Sequence, residues 1–73
     1  MKLTINGKET ELAAPDGISV TELLAEKKVK MPDMVTVELN GRILERSAFE
    51  TTRLEEGDRV EFLYFMGGGG GEI

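Results

Sequence analysis

Cysteine and histidine are both absent from these 73 residues. No disulfide or thiolate metal site can therefore staple the chain, and a zinc site would have to be built from carboxylates alone. The serines, Ser19 and Ser47, have no imidazole to activate them as nucleophiles. No apolar run approaches the roughly 20 residues of a membrane span. The N-terminal Met-Lys-Leu-Thr-Ile-Asn alternates instead of forming the apolar core of a signal peptide, so a cytoplasmic protein without a membrane partner is expected. Basic residues are in deficit too: 9 Lys and Arg face 14 Asp and Glu, a formal charge of −5. That balance argues against nucleic acid as a partner, because such binding needs a basic surface.

A chain this short makes one domain and buries only about 60% of the surface it exposes when unfolded. With 40% apolar and 32% charged residues, it suits a globular core better than disorder. The acidity is unevenly placed. Residues 1–34 hold five lysines against six acids, and residues 35–73 hold four arginines against eight. The second half thus carries most of the excess, as either a solvated face or a contact for a basic partner.

Leu3 and Ile5 alternate with Lys2 and Thr4, the period of a half-buried strand. Asn6-Gly7 then suits a two-residue type I′ turn, in which both positions need positive φ, and the chain returns through Lys8 to Leu12. Pro15-Asp16-Gly17 breaks the pattern. Ser19-Val20-Thr21-Glu22 reads as a capping box, and Val20, Leu23 and Leu24 share one helical face. Lys27 and Lys28 fall late, as the helix dipole favours. The spacing predicts a helix over 19–29, ending before Pro32.

Val35, Val37 and Leu39 alternate next, and a second Asn-Gly pair, Asn40-Gly41, turns toward a short Arg42-Ile43-Leu44 strand. Residues 47–50 suit one helical turn, with Phe49 and Leu54 as core anchors. Glu56-Gly57-Asp58 leads into the most apolar stretch, residues 59–66. Burying Leu3, Ile5, Val20, Leu23, Leu24, Val37, Val60 and Phe62 together requires both hairpins to join one sheet under the helix. The predicted class is α+β: a mixed sheet with its first and last strands parallel at the centre and one main helix across it. This is the β-grasp, or ubiquitin-like, arrangement, with a domain over 1–66 and a glycine tail over 67–73. Other α+β topologies remain compatible with the pattern.

Gly67 to Gly71 are five consecutive glycines directly after an apolar strand. Glycine runs are commonly linkers. A tail without Cβ atoms can also thread a narrow cleft and deliver a carboxylate to a distant reaction centre.

The turn Leu54-Glu55-Glu56-Gly57-Asp58-Arg59-Val60, the apolar last strand and the Gly-Gly ending resemble the ThiS/MoaD sulfur-carrier proteins over essentially the whole chain. The short length, Asn40-Gly41-Arg42 and Phe65-Met66-Gly67-Gly68-Gly69 look closer to ThiS. The resemblance implies a protein substrate, not an enzyme. A terminal glycine carboxylate is adenylated with ATP by a ThiF-like partner and converted to a thiocarboxylate. A ThiG-like thiazole synthase then takes the sulfur in thiamine biosynthesis. No cofactor is implied on the chain itself, since ATP is used by the adenylating partner, which fits the lack of a P-loop signature. No metal is implied.

One feature departs from that family. Its active form ends in glycine, whereas Glu72 and Ile73 follow here. A C-terminal processing protease is therefore an expected partner. Removing only Glu72-Ile73 leaves Gly71, which ranks first as the reacting residue. Spacing from the last strand favours Gly69, and Gly70 lies between them. Gly67 and Gly68 complete the tail.

Strand alternation places Val60, Phe62 and Tyr64 on one face of the last strand and Glu61, Leu63 and Phe65 on the other. Leu63 and Phe65, with Met66 at the root of the tail, are the candidate docking residues for both enzymes. The competing expectation is that residues 45–54 cover that face. Glu55, Glu56, Asp58 and Glu61 form an acidic cluster expected near the same end, as a solvated face or a partner contact. Three other functions begin from the same residues: a ubiquitin-like protein modifier, a β-grasp interaction adaptor, and a sulfur carrier serving another sulfur-containing metabolite.

Overall fold

The Asn-Gly pairs set the strand order. The computed structural model describes residues 1–64, and in it Asn6 and Gly7 have φ of 52° and 81°, Asn40 and Gly41 of 52° and 87°. Both pairs form the tight turns expected of them. The first joins β1 (Lys2–Ile5) to β2 (Lys8–Glu11), the second β4 (Val35–Leu39) to β5 (Arg42–Leu44). Between them lie β3 (Ile18–Ser19) and α1 (Val20–Glu26), and after them a 3₁₀ turn (Arg46–Ala48), β6 (Arg53–Leu54) and β7 (Arg59–Tyr64).

The main sheet runs β2-β1-β7-β4-β5. β7 pairs parallel with β1, Ile5 opposite Val60, and antiparallel with β4, Val37 opposite Phe62 and Val35 opposite Tyr64. This is the predicted β-grasp sheet, with first and last strands parallel at its centre. A second, two-stranded sheet pairs β3 with β6, Ile18 opposite Leu54. Neither strand of that small sheet was expected, because two-residue strands carry no periodicity to read.

The core contains Leu3, Ile5, Val20, Leu23, Leu24, Val37 and Val60, with Phe62 packed against it half-buried. Leu12, Val35, Phe49 and Leu54 complete it. Phe49 and Leu54 therefore anchor residues 45–54 on the helix side of the sheet. Backbone bonds from Val20 N–H to the Thr52 carbonyl and from Thr21 N–H to the Phe49 carbonyl hold the segment to the start of α1. The expectation that this segment covers the outer face is overturned. Its apolar side chains have a better-buried position under the helix.

The helix begins as predicted and ends early. Ser19 Oγ accepts the Glu22 N–H at 3.1 Å, while Glu22 Oε1 accepts the Ser19 N–H at 2.9 Å. At the other end Lys28 takes φ of 53°. The Val29 N–H reaches back to the Leu24 carbonyl and the Lys28 N–H to the Ala25 carbonyl. Those two bonds are a Schellman motif, which satisfies the last free carbonyls of the helix. A lysine fills the left-handed position usually held by glycine, so the stop at Glu26 left no signal in the sequence. Lys27 and Lys28 accordingly sit at and just past the cap, and the last turn itself has no basic residue.

Candidate functional site

β7 is the element that carries the chain toward the glycines, and it lies between β1 and β4 at the centre of the sheet. Two side chains extend its ladders. Past the end of β1, Asn6 Oδ1 accepts the Phe62 N–H at 2.9 Å. Past the end of β4, Asn40 Oδ1 accepts the Arg59 N–H at 2.9 Å, and Asn40 Nδ2 donates to Asp58 Oδ1 at 3.0 Å. The turn asparagines thus have a second task besides accepting positive φ: both bind the backbone of the central strand.

Leu63 is opposite Thr36 and lies half-buried on the outer face, the face away from the helix. The same face carries Glu38 and Glu61, which are opposite one another, and Ile43, which is opposite Glu38 and 64% exposed. Leu63 is therefore where strand alternation put it. Phe65, Met66, Gly67, Gly68, Gly69, Gly70 and Gly71, the other residues of the predicted site, lie outside the described residues.

The acidic cluster is displaced from its expected place. Glu55, Glu56 and Asp58 precede β7, whereas the glycines follow it, so the six-residue strand separates them. At about 3.3 Å per residue that is on the order of 20 Å. The acids close the turn there. Glu56 Oε1 accepts the Lys2 N–H at 3.0 Å, and Asp58 Oδ2 accepts the Glu55 N–H at 2.8 Å. A shallow hollow of about 290 Å³ opens near that end, lined among others by Thr4, Glu38, Arg59 and Glu61.

At the tail end of β7 the Tyr64 hydroxyl donates to the Lys30 carbonyl at 2.6 Å. That bond ties the strand to the loop joining α1 to β4. Within this loop Met31 is 50% and Met34 56% exposed, and Tyr64 itself is 37% exposed. Arg46 holds the loop from the other side, donating to the Pro32 carbonyl at 2.8 Å and the Val35 carbonyl at 2.7 Å. Its guanidinium lies 5.1 Å from the centre of the Phe49 ring, a cation–π distance. Sequence reasoning missed this loop. Two methionines around Pro32-Asp33 form no period, although their proximity to a proline stop marks them as loop residues.

Among the described residues no group of three or more acidic, histidine or cysteine side chains could hold a metal ion, and no helix is long and apolar enough to cross a membrane.

The ThiS family model matches residues 3–69. The crystal structure of a thiamine biosynthesis protein (ThiS) from Geobacter metallireducens is 55% identical, with a TM-score of 0.88 over 94% of this chain and 100% of that one. An NMR solution structure of a thiamine biosynthesis protein from Geobacter metallireducens is 53% identical, with a TM-score of 0.77 over 100% of this chain and 94% of that one. Along 69 residues the chain is also 38% identical to a thiazole synthase from Paramagnetospirillum magneticum. That match takes in 94% of this chain and 20% of the synthase, so the chain spans about one fifth of that relative's length.

Proposed function

The chain belongs to the ThiS family, and from that premise we propose that it is a sulfur carrier for thiazole formation in thiamine biosynthesis. The observation that carries this reading is the reach of the family match. Residues 3–69 take in all of the sheet but Lys2 and continue into Gly67, Gly68 and Gly69. The likeness is therefore to a sheet with its glycine segment, and not to the sheet alone.

The chemistry follows from the groups available. A carboxylate is a poor electrophile and first needs a leaving group. Removal of Glu72 and Ile73 would free the carboxylate of Gly71; deeper trimming would free that of Gly70 or Gly69. A ThiF-like enzyme would join that carboxylate to the AMP portion of ATP and release pyrophosphate. Sulfur at the sulfide level then displaces AMP at the acyl carbon, leaving a thiocarboxylate. This supplies a sulfur nucleophile to a chain that has no cysteine. Its own part is to be the substrate: present the tail, leave phosphate chemistry to the partner, and hand sulfur to a ThiG-like thiazole synthase. The 38% identity to a segment of a thiazole synthase supports that last partner.

Leu63, Phe65 and Met66 are the proposed docking residues where the sheet gives way to the tail. An apolar contact at the base of the tail would fix the direction from which the glycines enter a cleft. Incubating the trimmed chain with ATP, a ThiF-like enzyme and a sulfur donor tests the reading by intact mass. The carrier should gain the mass that separates sulfur from oxygen. Lysine-linked adducts on other proteins, without a thiocarboxylate, would instead make the chain a modifier.

A further inference from the structure

Exposed apolar side chains are normally scattered singly over a surface. Here three of the four large ones among the described residues, Met31, Met34 and Tyr64, sit together at the tail end of β7. The loop that carries two of them is tied down by hydrogen bonds. Tyr64 binds the Lys30 carbonyl, Arg46 binds those of Pro32 and Val35, and the Met34 N–H closes a turn onto the Met31 carbonyl. Met31 is kept at φ of 51°, a left-handed conformation that methionine rarely takes. Three side chain-to-backbone bonds thus hold an unfavourable backbone with its apolar side chains in water. Packing among the described residues does not explain that arrangement.

Beside the loop a groove of about 340 Å³ runs along α1, lined among others by Leu24, Ala25, Val29 and Pro32. Its size suits one or two apolar side chains from another protein. Lys28 and Asp33 line it as well, Lys27 and Lys30 next to it in sequence are exposed, and neither ion pair found among the described residues involves these lysines. Residues 27–34 hold three lysines against one aspartate in a chain of charge −5. The patch is therefore apolar at its centre, with one lysine and one aspartate on the groove itself and a net excess of lysine along the segment that borders it.

We propose that Met31, Met34 and Tyr64, with the adjoining groove, form the surface on which the thiazole synthase seats, through an apolar cluster of its own flanked by carboxylates. This deepens the carrier reading above and rests on it. Position argues for the occupant. The first glycine is only three residues beyond Tyr64, so an enzyme that takes the glycines must come down next to this loop. Of the two enzymes in the proposed cycle, the synthase is the one to which a stretch of this chain's length is related. Leu63, on the opposite face of β7, is then left to the adenylating enzyme, which narrows the shared docking role given to it above. Methionine and tyrosine are enriched in such contacts and adapt to a partner's shape.

The test titrates the full chain against purified thiazole synthase and, separately, follows ATP–pyrophosphate exchange on the Gly71-terminated form with the adenylating enzyme. Met34→Asp should weaken synthase binding by about tenfold or more and leave exchange unchanged. Met31→Asn should weaken it as well, and asparagine accepts positive φ, so this variant carries the test if Met34→Asp lowers the melting temperature. Lys30→Glu should slow association and flatten its salt dependence. Unchanged synthase binding by all three variants, where the parent binds, overturns the surface and spares the carrier reading. Equal losses in binding and exchange assign the loop to both enzymes and overturn its selectivity. A parent chain that reacts in exchange but never binds synthase removes both the surface and the thiazole step.

Discussion

Asn6 Oδ1 accepts the Phe62 N–H at 2.9 Å, while the Asn6 N–H donates to the Val60 carbonyl at 2.9 Å. In a parallel ladder those two bonds belong to one residue's own N–H and carbonyl. Here the side chain stands in for the carbonyl, because the chain has already entered the turn. One residue thereby ends β1, starts the hairpin and prolongs the central ladder.

Asn6→Gly keeps the positive φ and loses the side-chain acceptor, so it should cost about 1 kcal/mol. Asn6→Ala loses the acceptor and also forces a Cβ into left-handed backbone, a further ~1–2 kcal/mol. Urea denaturation should rank the parent above Asn6→Gly and Asn6→Ala last. Equal stability of the parent and Asn6→Gly would show that the Phe62 contact contributes nothing.

Much of this fold was legible because its signals are local. Asn-Gly twice, a capping box and strand alternation each act within a few residues, and they place both hairpins and the start of α1. The parallel pairing of β1 with β7 was reached only through the need to bury both hairpins under one helix, which other α+β topologies also met. What stayed hidden depends on pairing at a distance. The β3–β6 sheet, the contact of Arg46 with the 30–34 loop and the asparagine bonds to β7 join residues far apart in sequence. The early helix stop was hidden for a different reason, since Lys28 adopts a conformation its residue type does not advertise. Of the site, Leu63 was placed by period two. The Met31–Met34 loop was not, because an exposed apolar loop has no period at all.

Glu22 predicts an acid-sensitive helix start. Its carboxylate accepts the Ser19 backbone N–H, and this bond, helped by the Ser19 hydroxyl and by Arg53, holds its pKa below the usual glutamate range against slight desolvation. A pKa lowered on folding gives stability that is fully present above the unfolded value and fades as pH falls through the folded one. The melting temperature of Glu22→Gln should lie below the parent's at neutral pH and converge with it in acid. A gap of constant size across that range would mean that the charge is irrelevant and only the hydrogen bond counts.

Leu63→Asp should separate docking from folding. Leu63 is on the outer face of β7, half-buried, opposite Thr36, so its carboxylate variant remains wetted and the core residues on the other face stay in place. Binding to the adenylating enzyme should fall by about 2 kcal/mol or more if Leu63 is a central contact. Denaturation of the same variant checks the alternative: a large loss of stability with unchanged partner affinity makes Leu63 a structural residue.

The position of the reacting carboxylate is open to the most direct measurement. A glycine followed by Glu72 has its carbonyl in an amide, which offers no free acid for adenylation. The chain in which Glu72 and Ile73 follow Gly71 should therefore be a poor substrate for ATP–pyrophosphate exchange. Forms ending at Gly71, Gly70 and Gly69 each present a Cβ-free terminus, and the distance from β7 decides among them. Gly71 needs the least trimming, whereas the family match ends at residue 69. A cleft that holds both the sheet and the acyl carbon tolerates only one tail length well, so one of the three forms should exchange faster than its neighbours. Intact mass after addition of a sulfur donor should then show the thiocarboxylate on that same form. Equal exchange by the untrimmed chain and every shortened form would remove the need for processing. Exchange by none of them, with an adenylating enzyme active on another carrier, would sink the sulfur-carrier reading and leave an interaction adaptor in its place.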